Sequence, residues 1–166
     1  MTDETPSQTL VTMPKIEFKP KYISEDLSPK YETSLSACFD LRADISHFIV
    51  VGDSPAVVVI PTGVYLSQTE GKQMALMADS VRLKLRIEEK SSLAAKGWDV
   101  KAGVVDADYP QEIKVILRLP AGSALNTGDR IAQASWEMVF VALGVETREV
   151  ERVGGFGSTS EPLGNT

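Results

Sequence analysis

The sequence predicts an all-β fold: a jelly-roll-like β-sandwich or barrel with one short helix and a flexible Gly-rich C-terminal arm. Three observations predict it. Val81, Leu83, Leu85 and Ile87 alternate with Arg82, Lys84 and Arg86, and Ile113, Val115, Leu117 and Leu119 repeat the pattern around Lys114 and Arg118. Period two means one buried face and one wet face, as on a strand. The chain's 12 Gly and 9 Pro break it at short intervals, which favours many short strands. At 166 residues and 43% hydrophobic content it can bury one core without metal or disulfide staples.

Taken in order, residues 1–13 are polar and read as a disordered tail. Lys15 to Lys19 alternates polar and apolar, a strand pattern, and Pro20 and Pro29 bracket a loop. Ala56 to Ile60 is a β-branched run between Pro55 and Pro61-Thr62-Gly63, which reads as a short strand ending there. Val81–Ile87 follows. Ser91 to Lys96 has the helix formers Leu93, Ala94 and Ala95, with Ser91 placed to cap. Ile113–Leu119 and the apolar stretch Ile131 to Leu143 complete the domain, set at residues 14–143. Residues 144–166 form the arm.

Charge and rare residues exclude several function classes. A net charge of −6 argues against nucleic acid as a partner, which is gripped by clustered Lys and Arg. It leaves room for one small anion at a locally positive site. The one cysteine, Cys38, and the one histidine, His47, cannot build a His/Cys zinc site or an intrachain disulfide. No run is long enough to cross a membrane as a helix, and the N-terminus lacks the apolar core of a secretory signal. These features predict a cytoplasmic protein, or a nuclear one if the source has a nucleus.

Five segments carry possible chemistry, and each also has a plain structural reading. Asp40 in Phe39-Asp40-Leu41-Arg42-Ala43 is a surface acid or an acid that holds water on magnesium. Lys90-Ser91-Ser92 opens the short helix, where free amides suit an anion. Gly103 to Tyr109 is a turn, or it places Asp106 to accept a proton from water with Tyr109 as a flat face for a sugar or base. In Gly128-Asp129-Arg130-Ile131-Ala132-Gln133, Asp129 and Arg130 close a loop by pairing, or Gln133 contacts phosphate. Gly154 to Thr159 is a loose tail, or its amides and hydroxyls wrap phosphate oxygens. No Lys follows these glycines at P-loop spacing.

Together, and in this order, the five segments resemble the five motifs of the trimeric dUTPases, over roughly Lys15 to Ser160. The resemblance implies a β jelly roll that hydrolyses dUTP to dUMP and pyrophosphate with Mg²⁺, in a homotrimer whose sites are shared between subunits. It matches Asp106 to the acid that activates water at the α-phosphorus, and Asp40 to an acid that reaches the metal through water. Gly103 matches the hairpin that reads uracil, and Tyr109 the residue that packs on deoxyribose. Lys90, Ser91, Ser92, Gln133 and Arg152 match phosphate contacts. Phe156, with Gly157 and Ser158, matches the arm that closes over the substrate.

The chain departs from the family pattern, as a divergent member would. Cys38 replaces a Gly, Glu89-Lys90 replaces Pro-Arg, Pro110-Gln111 replaces Arg-Gly, Arg152 lies one residue nearer Phe156, and the stretch from Lys96 to Asp106 is one residue short. Lys is a point charge where Arg is a planar fork. Two rival functions follow. One is a weakly active or inactive member that binds a nucleotide or protein as a regulator. The other is a dCTP deaminase of the same superfamily, for which Ile116 stands where a Glu is needed.

Overall fold

The computed structural model describes residues 15–67, 76–78, 81–146 and 154–155. Among the described residues there are eleven strands: β1 (Ile16–Phe18), β2 (Phe39–Arg42), β3 (Ile49–Val50), β4 (Ala56–Leu66), β5 (Leu76–Ala78), β6 (Val81–Glu88), β7 (Asp99–Lys101), β8 (Val104–Asp106), β9 (Ile113–Leu119), β10 (Ala124–Leu125) and β11 (Arg130–Phe140). One helical turn, α1 (Ser91–Ala94), follows β6, and a 3₁₀ turn spans Glu25–Leu27.

One sheet runs β1-β4-β9-β7 and the other β2-β11-β6-β5, with β3 and β10 forming a separate ribbon. The strands of these sheets and of the ribbon pair antiparallel, which lets a sheet keep one dry face and one wet face. Leu83, Leu85 and Ile87 of β6 and Ile113, Val115, Leu117 and Leu119 of β9 are all buried. All of these but Leu83 pack with Leu41, Ile60, Val64, Leu125 and Ile131 in one core. The alternation in the sequence therefore sets the inner faces of both sheets.

β4 does not end at Pro61 as its turn residues suggest. It continues to Leu66 through an irregularity between Pro61 and Val64 in its pairing with β9. Side chains hold that irregularity. Glu112 Oε1 accepts from the amides of Thr62 (3.2 Å) and Gly63 (2.8 Å), and Thr62 Oγ1 donates to the Ile113 carbonyl at 2.6 Å. Gly63 has φ +68°, and a Cβ there would fall 2.8 Å from Pro20 Cα. The turn residues make a bulge rather than a stop, because a side chain from far along the chain supplies the missing acceptor.

The helix is also shorter than the sequence suggests, one turn instead of Ser91 to Lys96. Lys90 occupies the N-cap position, no side chain caps the turn, and Ser91 is its first residue. The tail at residues 1–13 lies outside the described residues.

Candidate active site

Two strands that are far apart in sequence build the first half of the site. β2 pairs with β11 so that Asp40 lies opposite Gln133, and β11 pairs with β6 so that Gln133 also lies opposite Glu88. Register partners share a face. Asp40 is buried, and its carboxylate takes cations on both oxygens: Lys90 Nζ on Oδ1, and Arg130 Nη1 on Oδ2 at 3.3 Å. Arg130 also reaches Glu32 at 3.4 Å. Asp129 is not the partner of Arg130. It accepts from the Asn126 amide at 2.8 Å and closes its own turn.

Gln133 Nε2 donates to the Glu89 carbonyl at 3.1 Å, which ties β11 to the chain just before α1. Glu89 Oε1 in turn accepts from the Val100 amide at 2.9 Å. The Glu89-Lys90 departure thus has a structural role at both residues: Glu89 secures β7, and Lys90 neutralises Asp40. Ser91 and Ser92 follow on the exposed side of the turn. Lys90, Ser92, Lys96, Trp98, Asp129 and Arg130 line a cleft of about 310 Å³ beside this cluster.

The second half gathers Gly103, Asp106 and Tyr109. β7 pairs with β9 and β8 pairs with β6, so the strands flanking Gly103 lie in different sheets and do not form a hairpin with each other. The crossing is tight. Ala102 has φ +52°, the only positive φ outside glycine among the described residues. Gly103 accepts at its carbonyl from the Ile87 amide at 2.7 Å. A Cβ on Gly103 would lie 2.1 Å from the Ile87 carbonyl oxygen, so only glycine fits.

Asp106 is exposed at the end of β8, opposite Lys84. Lys84 Nζ pairs with Glu137 at 3.1 Å. Tyr109 is buried, and its amide donates to the Asp106 carbonyl at 3.0 Å. A Cβ on Gly155 would come 2.5 Å from Tyr109 Oη, so the described part of the arm rests on that ring. Ala102, Val104, Val105, Tyr109, Lys114 and Ile116 line a cleft of about 200 Å³ here. Ile116 gives this cleft no titratable group.

The two halves are apart within one chain. Asp106 faces Lys84, Gln133 faces Glu88, and those positions are four residues apart on β6, about 13 Å along a strand. Arg152, Phe156, Gly157 and Ser158 lie outside the described residues. The sequence reading missed three contributors. Arg130 holds Asp40, Lys96 lines the cleft beside α1, and buried Asp44 accepts from the amides of Lys21 (2.7 Å), Tyr22 (2.7 Å) and Ile23 (3.1 Å), anchoring the loop before β2. No spacing signal marks these residues, since each contact is made across the fold.

A two-sheet antiparallel fold with a cation-paired buried acid at one end and an exposed acid beside a small cleft at the other defines a jelly-roll-like all-β protein with a divided candidate site. The sequence model of the dUTPase family matches residues 25–160. The deoxyuridine 5'-triphosphate nucleotidohydrolase of Maricaulis maris is 38% identical over 158 residues, 87% of this chain and 95% of that protein. That of Neorickettsia sennetsu is 37% identical over 141 residues, 79% and 86% of the two chains. The crystal structure of the dUTPase from Streptococcus mutans superposes with a TM-score of 0.58 at 24% identity, covering 78% of this chain and 98% of that one. This chain belongs to the dUTPase family.

Proposed function

We propose that this protein is a dUTP diphosphatase that hydrolyses dUTP to dUMP and pyrophosphate. The observation that carries the reading is family membership across residues 25–160, with Asp106 held at the open end of β8. Asp106 takes a proton from water as the water oxygen bonds to the α-phosphorus. The bond from that phosphorus to the bridging oxygen breaks, and pyrophosphate leaves with the electron pair. The protein's part is position and charge, since this transfer needs no covalent intermediate. The Gly103 crossing offers main-chain groups to uracil, and Tyr109 packs on the deoxyribose. Lys90, Ser91, Ser92 and Gln133 lie at the phosphate end, with Arg152, Phe156, Gly157 and Ser158 of the arm.

Magnesium fits as part of the substrate complex rather than as a resident ion. Both oxygens of Asp40 hold cations, and no group of three His, Cys, Asp or Glu stands ready for a metal among the described residues. Phosphate oxygens and water would supply most ligands of a hard, hydrated ion, with Asp40 reaching it through water. The ion supplies charge neutralisation on the triphosphate.

We also propose a homotrimer with shared sites. In support, one chain leaves Asp106 about 13 Å along β6 from the Gln133 position. Phe140 (89% exposed) and Leu143 (99% exposed) also extend an apolar surface that a partner would cover.

The test is pyrophosphate release from dUTP with magnesium. Asp106→Asn is expected to bind a non-hydrolysable dUTP analogue like wild type and to lose turnover by about 10²-fold or more. Undiminished turnover in that variant removes Asp106 from its role. Ammonia release from dCTP would mark a deaminase, and analogue binding without turnover in the wild type would mark a regulator.

A further inference from the structure

We propose that Lys96 is the cation that grips the pyrophosphate end of the triphosphate in this protein. The inference rests on the dUTP reading above. Three cations line the cleft beside α1, but two are already committed. Lys90 is paired with Asp40, and Arg130 divides its guanidinium between Asp40 at 3.3 Å and Glu32 at 3.4 Å. Asp129, the acid on the cleft wall, is turned into its own loop by two hydrogen bonds from Asn126, at 2.8 and 3.3 Å. Lys96 is exposed, and among the described residues its ammonium has no carboxylate or carbonyl partner.

Lys96 is therefore the one cation lining the cleft that has no ion-pair partner among the described residues, while Asp129 keeps its negative charge on the cleft wall. The cleft's volume of about 310 Å³ is at the lower end of small-ligand sites. Lys90 and Arg130 form its boundary with Asp40, so it opens directly from the phosphate end of the active site. A flexible ammonium is a point charge that can follow phosphate oxygens without needing one fixed geometry. Lys96 thus supplies the attraction that Lys90, neutralised by Asp40, no longer offers.

The experiment compares full-length wild type, Lys96→Ala and Lys96→Arg in magnesium. It measures KM for dUTP and the inhibition constants of inorganic pyrophosphate and of dUMP. Loss of one charge-assisted contact is expected to weaken pyrophosphate inhibition and raise KM by about tenfold in Lys96→Ala. The inhibition constant of dUMP, which lacks the pyrophosphate end, stays at the wild-type value, and Lys96→Arg restores most of the loss. A wild type that hydrolyses dUTP alongside a Lys96→Ala variant with unchanged pyrophosphate inhibition overturns the Lys96 assignment alone. Equal weakening of dUMP and pyrophosphate overturns it too, because it would show a general disturbance of the site. A wild type that releases no pyrophosphate from dUTP overturns both readings.

Discussion

Asp40 and Asp44 show how little an acid's sequence context says about its work. They sit four positions apart, and both are buried. Asp40 is neutralised by two cations from other elements, whereas Asp44 is satisfied by three main-chain amides of one loop. Buried charge is tolerated only when paired or hydrogen-bonded, and each acid takes one of those routes. Asp44→Ala strands three amides in a part-buried loop and should cost roughly 2–4 kcal/mol of stability. A urea melt with an unchanged midpoint would show that the loop does not depend on this carboxylate. Asp40 was legible as a candidate from its place in a motif. Asp44 was not, because its partners at Lys21 to Ile23 come near it only when the chain folds.

At the scale of elements, the segment from β7 to β8 is the most constrained. Its residues read as a turn, yet it carries the chain from one sheet to the other. That crossing explains both the left-handed Ala102 and the absence of room at Gly103. Gly103→Ala forces the Ile87 carbonyl away and breaks the 2.7 Å bond from the Ile87 amide. We expect a loss of roughly 2–3 kcal/mol, as for other overpacked sites, together with a raised KM for dUTP. Gly52→Ala is the control, since nothing lies within 4 Å of a Cβ there and it should melt close to wild type. A Gly103→Ala protein that melts and binds like the control would remove the constraint.

The strands themselves were largely legible. β6 and β9 announce themselves by alternation, and their buried residues are the ones the pattern selects. β4 was legible only in its first half. Its continuation past Pro61 depends on Glu112, a residue some 50 positions away that caps the bulge. The helix was overestimated because propensity at Leu93 to Ala95 describes an isolated segment, while Lys90 and Glu89 are held by contacts elsewhere in the fold.

For the whole molecule, the separation of the two half-sites on β6 leads to a prediction about assembly. If subunits share sites, Asp106→Asn chains and Ser91→Ala chains mixed under conditions that let trimers exchange should form some sites with both wild-type halves. Activity of the mixture should then exceed the sum of the separate variants. A mixture no more active than that sum, with exchange shown by mass labelling, would place each complete site within one chain.

The sequence by itself determined the all-β class, the inner faces of β6 and β9, and the family, because these depend on local period and on short motifs in a fixed order. Only the tertiary structure decided which residues serve the motifs. Arg130 and Lys90 converge on Asp40, Glu89 anchors β7, and Lys96 is left as the cation of its cleft without an ion pair among the described residues. The physical reason is that periodicity is a property of neighbours along the chain. Charge neutralisation and hydrogen-bond satisfaction are settled between residues brought together by strand register, and register exists only in the folded molecule.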